Sequence, residues 1–329
     1  MSVRASVIVI GGAGFIGSHF TDALLADERT ERVTLYDNFS SGREWHYAEH
    51  IDDPRLDVVR GDANDLPSLT SAMAGHALVV HLASNPDIAA AMTNPAVDFD
   101  DGTLITHHVV EAMRQTGTPR IAYASGSGVY GDLGKLEADE DHGPLVPVST
   151  YGASKLAGEG LISAYAHMFD MQGAAFRFGN VVGRRQTHGV GFDFLRKLLS
   201  DPTRLEVMGD GSQSKSYVLV TDVVAAVLGV CDGGTAEPFS AFNVATGDYI
   251  TVREIAELAI EVAGLDPDDV EIAYGDQPRG WKGDVPVVRL DTARIRATGW
   301  VPRAGSREAL RASMEAMLED LRAGTEQRA

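Results

Sequence analysis

The chain has 329 residues and a hydrophobic content of 44%, which suits one large domain or two closely packed domains with an ample core. Its formal net charge of −19 at pH 7 makes nucleic acid and anionic membranes unfavourable partners. No signal-peptide pattern opens the sequence and no apolar run approaches the ~20 residues of a membrane span, so we expect a cytoplasmic protein.

The first half of the chain alternates strand patterns with helix patterns. Short apolar runs rich in β-branched residues predict strands buried on both faces at residues 5–10, 32–38, 56–65, 77–84, 120–126 and 173–183. Helical periodicity follows the glycines after the first run and returns at 99–117 and 150–170. This alternation predicts an α/β fold, a Rossmann-like doubly wound parallel sheet, within residues 1–180.

The pattern loosens after about residue 181. Residues 202–230 combine a hairpin-like stretch with a helix, and amphipathic helices are predicted at 251–265 and 306–324. We therefore expect residues 181–329 to form a smaller C-terminal α/β substrate-binding cap, partly interleaved with the first domain.

A glycine-rich turn links the first predicted strand to the first helix. Gly11, Gly14 and Gly17 follow the spacing G-x-x-G-x-x-G, which lets a backbone approach a pyrophosphate at a helix N-terminus, although a simple tight turn also uses glycines. Asp37 ends the next strand, 20 residues beyond Gly17, where a carboxylate binds the ribose hydroxyls of NAD and repels the 2′-phosphate of NADP. Arg43 would soften that repulsion. The combination predicts an NAD site.

Asp62 ends the third predicted strand, in the sequence GDAND. A carboxylate there either meets the adenine amino group or serves as the N-cap of the following helix, and the sequence leaves both readings open.

Tyr151 and Lys155 stand at positions i and i+4 of a predicted helix. A lysine ammonium beside a phenol favours the phenolate and lowers its pKa from ~10 towards neutrality, which makes the tyrosine a usable base for an alcohol proton. The pair follows the fifth predicted strand, which favours a hydride-transfer site over an ordinary exposed helix face.

Eight motifs occur in order along the chain: GGAGFIGSH, YDNFSSGR, GDAND, HLAS, VYGD, YGASKLAGE, FRFGNVVG and GDGSQSKSYVLVTDVV. With the late RGWKGDV, they make the chain resemble the extended short-chain dehydrogenase/reductases, specifically the NAD-dependent nucleotide-sugar epimerase/dehydratase family. The pattern is most similar to that of UDP-glucose 4-epimerases. The motifs are specific for the superfamily and much less specific for the sugar.

The resemblance implies roles for particular residues. Tyr151 would be the catalytic acid/base, with Lys155 as its partner. Positions implied to line NAD are Gly11, Gly14, Phe15, Ile16, Gly17, Asp37, Asn38, Ser40, Ser41, Gly42, Asp62, Ala63, Leu82, Ala83, Ser84, Tyr151, Lys155 and Phe178. We expect a UDP-linked nucleotide sugar, and the positions implied to hold it are Asn85, Ser127, Tyr151, Asn180, Gly189, Val190, Phe194, Glu206, Val207, Lys215, Tyr217, Arg279 and Asp284.

The chain departs from the family pattern at the hydroxyl that partners the tyrosine. Counted back from VYG, that position is Gly126, flanked by Ser125 and Ser127. Neighbouring residues of a strand point to opposite faces. Neither serine therefore places its hydroxyl where the family hydroxyl lies, unless the glycines bend the chain. We favour Ser127, with Ser125 as the alternative catalytic hydroxyl.

Two further positions also differ from the family pattern. Gly102 stands where these epimerases often have asparagine, and Lys215 stands where many relatives have arginine. Lysine neutralises phosphate as a point charge, without the bidentate fork of arginine.

The pattern predicts an NAD-dependent 4-epimerase that acts on a UDP-hexose or UDP-uronic acid. Sugar 4,6-dehydratases of the family carry an Asp-Glu pair just before VYG, and this chain has Ser127 and Gly128 there. A nucleotide-sugar decarboxylase, another dehydratase or a dehydrogenase would share the C4 oxidation step, and a non-catalytic NAD-binding protein is a further alternative. The resemblance also implies a homodimer that pairs helices 99–117 and 150–170.

Overall fold

A computed structural model describes residues 3–280 and 283–323, so that Trp281 and Lys282 of the late RGWKGDV motif lie outside the described residues. The chain divides into two compact units. Unit 1 comprises Met1–Val129, Ser149–Arg177 and Val224–Phe242, and unit 2 comprises Tyr130–Val148, Phe178–Val223 and Asn243–Ala329.

The elements are numbered along the chain. The strands are β1 Ser6–Ile10, β2 Arg32–Asp37, β3 Leu56–Arg60, β4 Leu78–His81, β5 Arg120–Gly126, β6 Glu137–Ala138, β7 Gln172–Phe178, β8 Asn180–Val182, β9 Arg204–Val207, β10 Ser214–Lys215, β11 Tyr217–Leu219, β12 Phe239–Val244, β13 Ile250–Thr251, β14 Glu271–Tyr274 and β15 Arg289–Leu290. The helices are α1 Phe15–Leu25, α2 Leu66–Met73, α3 Ile105–Thr116, α4 Thr150–Met168, α5 Val190–Ser200, α6 Val220–Gly233, α7 Val252–Ala263, α8 Ala293–Arg296 and α9 Ser306–Ala323. None of the helices in the described residues is long and apolar enough to cross a membrane.

The central sheet has seven strands in the order β12-β7-β5-β4-β1-β2-β3. The pairs that β1 forms with β2 and β4, β2 with β3, and β4 with β5 are parallel. This confirms the predicted doubly wound α/β fold. The seventh strand, β12, was not predicted; it extends the sheet beyond β7 with residues from the second half of the chain.

The core of unit 1 lies between this sheet and its helices. Residues on both faces of the inner strands are buried, including Val9 and Ile10 of β1 and Val79 and Val80 of β4, because these strands carry apolar side chains almost without interruption. Burial on both faces explains the lack of period-two alternation in the sequence.

The helix predicted over 99–117 consists of two parts. Residues Phe99–Leu104 form a π-helical turn, and α3 follows and ends at Gly117, which adopts the left-handed conformation (φ 72°) typical of a helix C-cap. A Cβ atom on Gly102, in the π turn, would overlap Ser154 Oγ on α4. The close approach of α4 therefore explains glycine at this position.

Unit 2 has a separate apolar core. Helices α5, α7 and α9 pack with the parallel pair β9 and β14, and their buried residues include Leu195, Leu205, Leu258 and Leu310. Compared with the expected division at residue 180, segment 130–148 belongs to unit 2 and segment 224–242 belongs to unit 1. Each unit therefore consists of three chain segments, whereas a single boundary near residue 180 would give one segment to each unit.

A buried ion pair connects three elements of unit 1. Glu159 on α4 accepts hydrogen bonds from Arg177 on β7, with Nη2 2.7 Å from Oε2, and from the hydroxyl of Ser125 on β5 at 2.6 Å. Both side chains of the ion pair are only 5% exposed. Removing one partner takes a buried counter-ion away from the other charge, where water does not replace it.

We expect Glu159→Gln to lower the free energy of unfolding by about 3–5 kcal/mol, because Arg177 keeps its charge in the interior. Urea unfolding followed by circular dichroism measures the change. The control is Asp57→Asn, which removes an exposed carboxylate 3.9 Å from Arg32 and should cost less than about 1 kcal/mol. Equal losses in the two variants would contradict a structural role for the buried pair.

Candidate active site

The glycine-rich turn packs closely against its neighbours at the carboxyl end of β1. Gly11 has φ +80°, and a Cβ atom there would lie 2.8 Å from the backbone nitrogen of Ala83, after β4. A Cβ on Gly17 would lie 2.5 Å from the carbonyl oxygen of Gly12. Helix α1 begins at Phe15 with Gly14 as its N-cap and no side-chain cap, so its first N–H groups are available to an anion such as a pyrophosphate.

Asp37 ties the end of β2 to this turn. Its carboxylate accepts a hydrogen bond from Ala13 N–H at 2.9 Å and another from Phe39 N–H at 2.7 Å. Burial raises the pKa of Asp37, and these two backbone hydrogen bonds act against that rise. Gly42 lies directly against the carboxylate, since a Cβ there would be 2.9 Å from Oδ1.

Asp62 does not cap the following helix. Its Oδ1 accepts the Asn64 N–H at 2.9 Å, whereas the N-cap of α2 is Asp65, which accepts the Ser68 N–H at 3.3 Å. The N-cap reading of Asp62 is therefore wrong, and its exposed carboxylate lies at the end of β3, beside the end of β2.

The other expected NAD-lining residues also lie at strand ends or at the start of α1, and all but one belong to unit 1. The exception is Phe178, the last residue of β7, which belongs to unit 2. Those in unit 1 start α1 or follow β2, β3 and β4: Phe15, Ile16, Asn38, Ser40, Ser41, Gly42, Ala63, Leu82, Ala83 and Ser84.

Tyr151 and Lys155 lie on the first turns of α4, whose N-cap Ser149 accepts the Gly152 N–H. The ammonium of Lys155 donates to the carbonyl of Ala124 at 2.8 Å and lies 5.4 Å from the centroid of the Tyr151 ring. Lys155 is only 3% exposed. The structure thus brings the predicted pair together at the end of β5.

The pKa values of the pair are set mainly by burial. Loss of hydration lowers the pKa of Lys155 to about 8, opposed by the negative charge of Asp98. The same effect raises the pKa of Tyr151, Asp98 raises it further, and a hydrogen bond with the Ser84 hydroxyl lowers it. The expected effect of the Lys155 charge on the Tyr151 pKa stays a prediction.

Among the described residues, no hydrogen bond joins Tyr151 to Ser125, on β5, or to Ser127, just after β5. Ser125 is directed into the interior, where it donates to Glu159, so its expected catalytic role is wrong. Ser127 begins a 3₁₀ turn, Ser127–Tyr130, and is half-buried. Ser84, expected among the cofactor contacts, is the neighbour that lowers the pKa of Tyr151.

Asp98 is a site residue that sequence reasoning missed. Its carboxylate is 2% exposed and accepts hydrogen bonds from Asn85 Nδ2 at 2.9 Å and from Thr150 Oγ1 at 2.6 Å. Asn85, expected to bind substrate, uses its amide for this bond and for the backbone of Asp87. The only sequence signal for Asp98 was its place just before the helix, which does not reveal a partner far along the chain.

In unit 2, four expected substrate residues lie near paired strands β8 and β11. Asn180 pairs with Tyr217 in the register, and its backbone and side-chain N–H groups both donate to the Ser216 carbonyl. Lys215 donates to Asp284 at 2.6 Å. Burial and the negative charge of Asp284 raise the pKa of Tyr217. Lys215 and Asp284 therefore meet as an ion pair rather than as separate charges.

The remaining expected substrate residues are more dispersed. Arg279 is exposed and donates to Asp132 at 2.7 Å. Phe194 and Val207 are buried in the core of unit 2, and their expected contact with a ligand stays a prediction. Gly189 and Val190 form the start of α5, and Glu206 is an exposed residue of β9.

The fold and the tyrosine–lysine pair define an α/β enzyme that uses a dinucleotide. Residues 7–245 match the NAD dependent epimerase/dehydratase family. The UDP-glucose 4-epimerase of Mycolicibacterium smegmatis is 34% identical over 318 residues, which cover 94% of this chain and 97% of that protein. The chain therefore belongs to the NAD-dependent epimerase/dehydratase family.

Solved structures show the same relationship. A UDP-galactose 4-epimerase is 36% identical with a TM-score of 0.84, covering 96% of this chain and 99% of its own. DesIV of Streptomyces venezuelae, a dTDP-glucose 4,6-dehydratase solved as a double mutant with NAD, is 26% identical with a TM-score of 0.88, covering 98% and 99%. Overall fold similarity thus does not separate epimerase from dehydratase.

NAD is the cofactor of this family, and the residues of unit 1 fit it. The uncapped N-terminus of α1 suits the pyrophosphate, and the Asp37 carboxylate at the end of β2 suits the adenosine ribose. Glycine at positions 11 and 17 keeps side chains out of the turn, so that the pyrophosphate can approach the backbone closely.

We expect Asp37→Asn to weaken NAD binding about 10–100-fold, since charge-assisted hydrogen bonds contribute about 1.5–3 kcal/mol. Isothermal titration calorimetry measures the dissociation constant. Asp57→Asn, on neighbouring β3, is the matched control and should bind NAD as the unmodified protein does. Unchanged affinity in Asp37→Asn would argue against ribose recognition by this carboxylate.

We expect Lys155→Met to stabilise the protein at pH 7 by about 1–3 kcal/mol, because each depressed pKa unit of a buried ammonium costs about 1.4 kcal/mol. Between pH 8 and 10.5 the folded lysine is neutral while the unfolded one is still protonated, so the stability of the unmodified protein rises with pH. The difference between the two proteins should therefore shrink across that range. Urea unfolding from pH 7 to 10 measures it, and a constant difference would contradict the depressed pKa.

Proposed function

We propose that the protein is an NAD-dependent nucleotide-sugar 4-epimerase that acts through a transient 4-keto sugar. The observation that carries this proposal is the set of residues at the end of β5. The tyrosine–lysine pair for C4 oxidation is present, whereas the two residues before Val129 are Ser127 and Gly128, neither of which has a carboxyl group. Elimination of the 6-hydroxyl as water would lack its general acid and base there.

The buried Asp98 does not substitute for the missing carboxyl groups. Both of its oxygens are engaged by Asn85 and Thr150, and the side chain has almost no exposed surface. A general acid for a sugar hydroxyl must come within hydrogen-bond reach of that hydroxyl. This argues against a 4,6-dehydratase that uses Asp98.

In the proposed mechanism, Tyr151 as phenolate accepts the proton of the sugar 4-hydroxyl and later returns it to the same oxygen. The ammonium of Lys155, anchored to the Ala124 carbonyl, favours the ionised tyrosine during turnover. NAD, when bound, accepts the C4 hydride and gives it back. Epimerisation requires that the 4-keto sugar presents its opposite face before the hydride returns.

We propose UDP-linked hexoses or uronic acids as the substrates. The cationic side chains of unit 2 that suit a diphosphate are Lys215 and Arg279, and each is held by one carboxylate. A Cβ added to Gly126 meets no atom within 4 Å, so the end of β5 leaves space for a larger substituent on the sugar. That space supports a uronic acid as well as a hexose.

The homodimer also belongs to this proposal. The π-helical turn and α4 lie in the two helical regions that the family resemblance pairs between subunits. Large apolar side chains are exposed on both, namely Phe99 at 57%, Met168 at 71% and Phe169 at 39%. Apolar surface of this kind supports a subunit contact there.

Proton NMR of the protein with NAD and UDP- or dTDP-linked hexoses and uronic acids tests the reaction directly. We expect one UDP-sugar to convert to its C4 epimer up to equilibrium, without net reduction of NAD. Loss of C6 would indicate a decarboxylase, a deoxy or vinyl signal a dehydratase, and stoichiometric NADH a dehydrogenase. No conversion with any sugar of the panel would favour the non-catalytic alternative.

We expect Tyr151→Phe to abolish conversion, by at least ~1,000-fold, and to leave NAD affinity within about threefold, since the phenol only carries the proton. The same NMR assay and calorimetry measure both effects. Tyr165→Phe is the matched control on the same helix, because Tyr165 is bonded to Glu111, and it should retain turnover. Full activity in Tyr151→Phe would overturn the mechanism.

A further inference from the structure

We propose that Asp98 and the π-helical turn after it set the position of the catalytic pair, by bonding to the residue just before Tyr151 and to the residue just before Lys155. Both contacts lie within unit 1 and join the turn to α4. Groups of this kind act through their chain neighbours, so they are positioning residues. The inference rests on the proposed function, because it takes Tyr151 and Lys155 as the pair that acts on the sugar.

The first contact holds the residue before Tyr151. Thr150 Oγ1 donates to Asp98 Oδ2 at 2.6 Å, a length typical of a hydroxyl bonded to a carboxylate. Thr150 is an exposed residue, but the Asp98 side chain that it bonds is only 2% exposed. The bond therefore ties the first residue of α4 to a fixed point in the interior.

The other oxygen of Asp98 shows what fixes that point. Asn85 Nδ2 donates to Asp98 Oδ1 at 2.9 Å and to the Asp87 carbonyl at 2.8 Å. The Oδ1 atom of Asn85 accepts the Asp87 N–H at 3.0 Å, and Asn85 is 5% exposed. Asp98 thus closes the segment that follows β4 and anchors α4 to it.

The second contact holds the residue before Lys155. Thr103 Oγ1 donates to Ser154 Oγ at 3.1 Å, and Ser154 is buried. Glycine at position 102 lets the turn come this close, since a Cβ on Gly102 would overlap Ser154 Oγ. The next residue, Lys155, reaches the Ala124 carbonyl at 2.8 Å. The turn therefore holds α4 immediately before the residue whose ammonium is bonded to β5.

The π-helical turn explains why both contacts fit. Thr150 and Ser154 are four residues apart on α4, which is about one turn. Asp98 and Thr103 are five residues apart. In an α-helix, residues five apart point about 140° away from each other, whereas the hydrogen bonds of a π turn join residues five apart. The π turn Phe99–Leu104 therefore lets Asp98 and Thr103 both face α4.

Two substitutions at Asp98 separate its hydrogen bonds from its charge. Asp98→Asn and Asp98→Ala both remove the negative charge, but the amide of Asp98→Asn can still accept from Asn85 and donate to the Thr150 hydroxyl. Thr150→Val removes one bond and keeps the shape of the side chain. The matched control is Thr116→Val on α3, because the Thr116 hydroxyl bonds to its own helix and to Thr118.

The kcat and KM of sugar conversion are measured with saturating NAD, each protein at the pH of its own maximum, so that a changed titration of Tyr151 does not enter. We expect Asp98→Ala to lower kcat about 10–100-fold and Thr150→Val to lower it about tenfold, with KM within about twofold, because small misplacements of reacting groups are costly. In the Asp98→Ala background, Thr150→Val should add no further loss, since both remove the same bond.

The controls distinguish positioning from a purely structural role. Asp98→Asn should bring kcat to within about threefold of the unmodified chain, since it keeps both hydrogen bonds. Thr116→Val should keep full kcat. A purely structural role would lower the melting temperature of Asp98→Ala and leave the kcat of the folded protein unchanged, which would contradict the inference.

Hydrogen–deuterium exchange of the NAD-loaded proteins tests the same contact without a sugar. Asp98→Ala and Thr150→Val should speed exchange at the start of α4, over residues 150–156, by about tenfold or more. Asp98→Asn and Thr116→Val should exchange there as the unmodified chain does.

Equal kcat losses in Asp98→Asn and Asp98→Ala would overturn the inference, as would unchanged exchange at the start of α4 in Asp98→Ala. Faster exchange there, together with no sugar conversion by the unmodified chain, would contradict the epimerase and support the attachment of α4 through Asp98. Normal sugar conversion by both the unmodified chain and Asp98→Ala would support the epimerase and overturn the positioning role.

Discussion

In a parallel sheet, neighbouring strands end at one edge, and the reactive groups of unit 1 depend on that constraint. The glycine turn follows β1, Asp37 ends β2, Ser84 follows β4 and the Ala124 carbonyl belongs to β5. Residues far apart in the sequence are therefore neighbours without any special packing. The strands are buried on both faces, so this edge is also where polar side chains are least costly to place.

Burial then sets the chemistry of that edge. Tyr151 and Lys155 each lose hydration, which pushes both groups towards their neutral forms. A tyrosine that serves as a base at neutral pH needs the opposite, and the negative charge of Asp98 raises the pKa of Tyr151 further. The Asp98 carboxylate shows how such a site is held together, because it is engaged on both sides by groups next to the reacting residues.

The sequence was sufficient to predict the doubly wound sheet, the glycine turn, Asp37 and the Tyr151–Lys155 pair, since each depends on local spacing and strand patterns. It did not predict β12, whose pairing with β7 joins distant segments. Nor could it decide between the serines, because side-chain direction depends on partners such as Glu159. The burial of Phe194 and Val207 in the core of unit 2 was not predicted either, because a motif match does not distinguish a core residue from a pocket residue.

The ion pairs of unit 2 carry a consequence for selectivity. Lys215 and Arg279 already have carboxylate partners, Asp284 and Asp132, so an anion that binds these cations would compete with those partners. The two linked charges of a diphosphate would compete better than a small monovalent anion. In a chain of net charge −19, we therefore expect these cations to respond weakly to simple salts. The acidic partners would then contribute to ligand selectivity as well as to structure.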